Sequence, residues 1–169
     1  FIPERKDRMT LLICENKDIW FNIRRRMYEN GARELSGTPI DGVVYGCGNR
    51  ISEAGALSEY TRFMGTNHVE YLYWGDIDRA GFNIYLSLLK NNPGLSIRLF
   101  VPAYEKMLQL AGKHDIPDSH DHRERMGDYE SIYRLFAEEY RELLTAFIDN
   151  NKRVPQEIIS YETLLEAMR

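Results

Sequence analysis

Only two cysteines occur in 169 residues, Cys14 and Cys47, each inside an apolar run and neither in a CxxC pair. A disulfide scaffold and a zinc ribbon are both excluded, and a reducing, cytoplasmic setting is expected. Long apolar runs are missing too. Nothing approaches the ~18 consecutive apolar residues of a membrane span, and charges occupy Phe1 to Met9 where a signal peptide would be apolar. No excess of positive charge exists either: 22 Lys and Arg stand against 26 Asp and Glu, for a net charge of −4. A polyanionic partner would therefore have to be met by a local basic patch. There is no internal repeat or low-complexity tract. What remains is the length and composition of one globular domain with a sizeable core. Because the chain opens on Phe1-Ile2-Pro3 with no Met, residues 1–10 are expected to be the tail of an upstream segment.

Apolar runs of strand length alternate with segments of helical period, the pattern of βα units that build a mainly parallel sheet. Four such units fill residues 11–112. Leu11 to Cys14 is the first strand, followed by a helix through Ile19, Trp20, Ile23 and Met27. Val43 to Tyr45 is the second; Gly46-Cys47-Gly48 forms its turn, and Ser52 is expected to cap a helix bearing Leu57, Tyr60, Thr61 and Met64. Tyr71 to Trp74 runs into Gly75-Asp76-Ile77-Asp78 and a helix from Ala80 to Lys90. Ser96 to Phe100 is the fourth strand, with Pro102 in the first turn of the helix that follows. Residues 113–127, polar and almost without apolar side chains, read as a surface loop. A helical extension over 128–169 follows: Ile132, Phe136, Tyr140, Leu143 and Phe147 predict one long amphipathic helix from Asp128 to Asp149, and a short helical segment runs from Gln156 to Met168. The expected fold is thus α/β, a four-stranded, mainly parallel, Rossmann-like sheet flanked by helices.

In such sheets ligands bind beyond the carboxyl ends of the strands. Glu15 follows the first strand, and Asp76 and Asp78 follow the third, so three carboxylates should emerge at one edge. Hard oxygen donors of this kind suit Mg²⁺. Each acid also has a plainer use: Asp78 as a helix N-cap, Asp76 as a turn residue, Glu15 as an exposed strand-end acid.

Glu15-Asn16-Lys17 after the first strand, and Tyr73 to Asp78 running on through Gly81-Phe82 after the third, resemble the Toprim domain. More specifically they are similar to the Toprim nuclease subunit of the Wadjet anti-plasmid systems, relatives of the A subunit of type VI topoisomerases. The resemblance spans roughly Leu11 to Leu110. It implies that Glu15 is a general acid or base and a metal-site residue, that Asp76 and Asp78 bind Mg²⁺ or Mn²⁺, and that Glu157, in a Gln-Glu dipeptide near the C-terminus, adds a further carboxylate. With four acids in one cluster, two ions would be favoured over one. The implied function is metal-dependent endonucleolytic cleavage of plasmid or closed circular DNA. The implied partners are double-stranded DNA, an SMC-family ATPase complex and a second copy of the chain. One departure is Arg79-Ala80 after the DxD motif, where those subunits often have Thr-His.

Lys17 and Arg79 lie within three residues of the acids and suit either phosphate contact or a solvated first helical turn. Gly48 sits in the turn that borders the active site in Toprim folds. Gly46-Cys47-Gly48 is not a dinucleotide fingerprint, since Ile51 replaces the third glycine. His114, His120 and His122 lack the cysteines or HExxH frame of a zinc site. Arg24-Arg25-Arg26 is a basic cluster suited to a solvated face or to DNA backbone contacts. Two other readings stay open: a type VI topoisomerase-like cleaving subunit without its tyrosine domain, and a non-catalytic DNA-binding or docking module.

Overall fold

Strands β1 (Arg8–Cys14) and β5 (His68–Trp74) each end in four consecutive buried residues, Leu11 to Cys14 and Tyr71 to Trp74. Continuous burial of this kind requires both faces of a sheet to be covered, which is the situation of a parallel sheet between helices. The computed structural model, which describes residues 1–66, 68–119 and 124–169, has that architecture. In chain order the elements are β1, α1 (Lys17–Glu29), β2 (Glu34–Leu35), β3 (Thr38–Pro39), β4 (Gly42–Tyr45), a 3-10 turn (Gly48–Ser52), α2 (Ala56–Met64) and β5. Then come α3 (Arg79–Asn91), β6 (Ser96–Leu99), α4 (Val101–Ala111), α5 (Glu130–Tyr133), α6 (Glu138–Asp149), a second 3-10 turn (Gln156–Ile158) and α7 (Tyr161–Ala167). The main sheet has the order β4-β1-β5-β6, and every pairing in it is parallel. Among the described residues no helix is long and apolar enough to cross a membrane.

Register decides where the strands stop. Cys14 pairs with Tyr45 on one side and with Trp74 on the other, so β4, β1 and β5 finish level. The next residues, Gly46, Glu15 and Gly75-Asp76, therefore leave the sheet side by side. Here β1 is also the point from which the chain builds outward in both directions, the crevice that open α/β sheets use for ligands.

Three local expectations need correction, and one element is new. Ser52 does not cap α2: it is buried at the end of the 3-10 turn and donates its hydroxyl to the Asn49 carbonyl, while Gly55 holds the N-cap position at φ +88°. The helix expected from Asp128 to Asp149 is two helices. The break at 134–137 lets Ile132, Tyr133 and Phe136 all turn inward, and Arg141 donates to the Tyr133 and Phe136 carbonyls beside it. Past the break the fully buried positions are Leu144 and Ile148, with Tyr140, Leu143 and Phe147 only partly covered. Between Gln156 and Met168, a 3-10 turn and α7 are separated at Ser160, whose side chain caps α7 through the Thr163 N–H. The small antiparallel hairpin β2–β3, turning at Ser36-Gly37, was not expected from the sequence.

The polar segment after α4 is less detached than its composition suggests. Ile116 is buried, and the backbone of 117–119 bonds to that of 151–153: Arg153 N donates to Pro117 O and Ser119 N donates to Asn151 O. His114 is exposed, while His120 and His122 lie outside the described residues.

Candidate active site

Glu15 leaves β1 with its backbone still tied to the sheet, its N–H donating to the Trp74 carbonyl at 3.1 Å. One carboxylate oxygen, Oε2, accepts the Gly48 N–H at 2.7 Å, an N–H that the left-handed conformation at Gly48 (φ +64°) presents. The other oxygen, Oε1, is buried and has no hydrogen-bond partner. Burial pushes the Glu15 carboxyl up from 4.5 to about 7; the Gly48 hydrogen bond opposes this and the charge of Asp76 adds to it. Space for this side chain exists because residue 46 is glycine: a Cβ there would stand 2.8 Å from Glu15 Cδ.

Asp76 and Asp78 flank a backbone bridge, Ile77 to Val154, that holds the DxD loop against a distant part of the chain. Asp78 is 6% exposed, and its Oδ1 accepts the Gly81 N–H at 2.7 Å, so it is the N-cap of α3. Burial raises its pKa, against the Gly81 hydrogen bond and with help from Asp76. Gly81 must be glycine for the turn to close this tightly, because a Cβ would meet the Asp76 carbonyl oxygen at 2.6 Å. The second Asp78 oxygen faces Arg153.

The segment Arg153 to Glu157 closes the site. Arg153 donates from Nε to Asp76 Oδ2 at 2.9 Å, places Nη2 2.7 Å from the same oxygen, and lies 3.8 Å from Asp78 Oδ2. The Gln156 N–H donates to Asp76 Oδ1 at 2.8 Å. Its side chain, fully buried, accepts the Asn16 N–H and donates to Cys14 Sγ, fastening this segment to the end of β1. Glu157 is exposed and accepts from the Asn16 side chain at 2.7 Å. Glu15, Asp76, Asp78 and Arg153 line one cavity of about 280 Å³, together with Tyr73 and Ser119. A smaller one of about 110 Å³ is lined by Glu15, Asn16, Asp76, Arg153, Gln156 and Glu157. As the side chains stand, no three His, Cys, Asp or Glu among the described residues are grouped to hold a metal ion. A guanidinium occupies the position between the two aspartates.

A family model described as Wadjet protein JetD, C-terminal, matches residues 7–168. The chain belongs to that family. No curated protein matches it. Membership ties the chain to the Wadjet system, and the match takes in both the strand-end acids and the segment that carries Arg153, Gln156 and Glu157.

Of the residues expected from the sequence, Glu15, Asp76, Asp78 and Glu157 line one or both cavities, and Gly48, outside both linings, reaches the site through its N–H to Glu15. The remaining two behave differently. Arg79 donates to the Ile148 and Asp149 carbonyls at the end of α6 and lines neither cavity. Lys17 is exposed on the first turn of α1, also outside both linings. The cation that does reach the acids, Arg153, was missed, as were Gly46 and Gln156. The available signal was an arginine immediately before Val154-Pro155, three residues from the Gln156-Glu157 dipeptide. In the basic cluster, Arg24 stacks over Phe1 and Trp20, and Arg25 pairs with Glu29, while Arg26 is half-buried.

Proposed function

We propose that this chain is the metal-dependent, DNA-cleaving module of a Wadjet-like defence system, with a Toprim-type site built from Glu15, Asp76 and Asp78. The observation that carries this reading is Glu15, a carboxyl with one buried oxygen lacking a partner, sharing a cavity with a DxD pair at the carboxyl edge of a parallel sheet. Asp76 and Asp78 offer hard oxygens suited to Mg²⁺ or Mn²⁺, and Glu157 on the rim is the candidate for a second ion. A cation already sits between them in the form of Arg153, which supports the fit of positive charge at that place. Bound metal would supply neutralisation of the charge that builds on the attacked phosphate.

The chain's own groups do the rest. With its pKa near 7, Glu15 is divided between its protonated and ionised forms at neutral pH, so it can give a proton to a leaving oxygen or take one from a water. Gly48 holds the carboxyl in place through its N–H. Tyr73 lines the cavity, but its hydroxyl is fully buried, donates to the Gly81 carbonyl, and has a pKa raised well above 10 chiefly by burial. That favours water over a tyrosine of this cavity as nucleophile, and hydrolysis over topoisomerase-like strand transfer. Double-stranded DNA and the other Wadjet components, an SMC-family ATPase complex among them, are the partners this reading calls for.

The test is nicking of closed circular plasmid by the purified chain, alone and with Wadjet components, in Mg²⁺, in Mn²⁺ and in EDTA. Cleavage dependent on the divalent ion and abolished by Asp76→Asn is expected. Cleavage that survives both EDTA and Asp76→Asn would place the chemistry elsewhere.

A further inference from the structure

Four carboxylates, Glu15, Asp76, Asp78 and Glu157, line the two cavities, and Arg153 is the only basic side chain in either lining among the described residues. A site of that charge repels the phosphate it would act on unless cations are supplied. Two other basic side chains near this edge are committed, Arg79 to the α6 carbonyls and Lys152 to Asp118, and Lys17, exposed on α1, lines neither cavity. Arg153 differs from them in how it is mounted. Its backbone is fixed, since its N–H bonds Pro117 O and its neighbour Val154 exchanges both backbone hydrogen bonds with Ile77 at 2.9 and 3.0 Å. Its side chain is 40% exposed, so the guanidinium can leave Asp76 for water without unseating the segment.

Resting on the metal reading above, we propose that Arg153 has two positions: it balances Asp76 and Asp78 when no divalent ion is present, and it moves to the substrate phosphate when an ion takes its place. The same charge that shields the empty site then becomes the site's phosphate clamp. A guanidinium suits both roles, because its planar fork matches a carboxylate and a phosphate equally well. An Arg153 that must vacate the aspartates competes with the metal, and an Arg153 that then grips phosphate holds the substrate in line. Each half leaves its own signature on a variant.

The experiment measures Mn²⁺ binding without DNA, by calorimetry and by electron paramagnetic resonance of the free ion, for wild type, Arg153→Gln, Arg153→Lys and Asp76→Asn. Plasmid nicking is then followed at saturating Mn²⁺. Removing the competing guanidinium should tighten Mn²⁺ binding by about two- to fivefold in Arg153→Gln, the scale of a partly exposed ion pair, with Arg153→Lys between it and wild type. Nicking by Arg153→Gln at saturating Mn²⁺ should fall by at least ~10-fold, with Arg153→Lys recovering part of it because charge returns without the fork. If wild type binds Mn²⁺ and neither Arg153 variant binds it more tightly, Arg153 is a fixed fastening and the two-position proposal is wrong while the metal site stands. Unchanged nicking at saturating Mn²⁺ removes the phosphate clamp in the same way. If Mn²⁺ binds none of the proteins, or binds Asp76→Asn as well as wild type, the metal reading itself fails and this proposal goes with it. Should Arg153→Gln not fold, the Arg153→Lys comparison carries the same test.

Discussion

Replacing Glu15 by Gln should change how stability depends on pH, and by an amount the structure sets. In the folded chain the Glu15 carboxyl has a pKa of about 7 against an ordinary 4.5, mainly through burial. Below both values it is protonated folded and unfolded alike and costs nothing. As pH rises past 4.5 the unfolded chain releases its proton while the folded chain keeps it, so the folded state loses ground until about pH 7, above which the loss is complete. At about 1.4 kcal/mol for each pH unit between 4.5 and 7, that loss is roughly 3 kcal/mol. Gln has the shape of the protonated acid and cannot ionise. Any fixed difference between Glu and Gln, such as the amide left facing the place of the unpartnered Oε1, is the same at every pH. Urea unfolding in EDTA at several values between about pH 4 and pH 8, for wild type and Glu15→Gln, isolates the effect as the change in their difference. The variant should gain about 3 kcal/mol on wild type across that interval. A change below about 1 kcal/mol would falsify the burial argument and, with it, the case for Glu15 as a near-neutral proton carrier.

Gly46→Ala places a methyl group against the end of the flexible Glu15 side chain, so its cost to stability should stay below about 1 kcal/mol while nicking falls at least ~10-fold; a thermal melt and a plasmid assay separate the two. Asp78→Ala loses the α3 cap that Asp78→Asn retains, and should be less stable than the Asn variant by about 1 kcal/mol; equal unfolding midpoints would show that the Gly81 hydrogen bond contributes nothing. Both should lack metal-dependent cleavage, so activity alone does not distinguish them. Glu157→Ala, at an exposed position, should cost under about 0.5 kcal/mol. If Glu157 helps hold a second ion, Mn²⁺ titration of that variant will show one site where wild type shows two, and wild-type stoichiometry and cleavage would remove Glu157 from the site.

The parallel sheet was legible because β1 and β5 are buried on both faces and so are apolar without alternation, and because each helix that follows them repeats at its own period. The acids were legible for a related reason: a charge directly after such a run marks the strand's end, and level register then brings Glu15 beside Asp76. What escaped had no periodic trace. The β2–β3 strands are two residues each, too short to show alternation, and the break between α5 and α6 preserves the helical spacing of Ile132 and Phe136 while shifting everything after it. Arg153 escaped because its meaning depends on a contact with a residue 77 positions away. Arg79, adjacent to the acids in sequence, is turned toward α6 because Asp78 starts a helix there and the first turn points its side chain off the edge. Nearness along the chain was a poor guide for these two arginines.

The bridge between Ile77 and Val154 also sets an order of events during synthesis. Asp76 leaves the ribosome about 80 residues ahead of the Gln156 backbone N–H that binds it, and Asn16 about 141 residues ahead of the Glu157 carboxylate it contacts. At about 5–20 residues per second, Asp76 waits roughly 4 to 16 s for Arg153 and Gln156, and Glu15 longer. Within that interval all four strands of the main sheet come to be made, while Arg153 and Gln156 are still missing from the cavity linings. A nascent chain thus has all four strands of the sheet before it has the residues of a finished site, and any cutting activity waits on the arrival of the last segment.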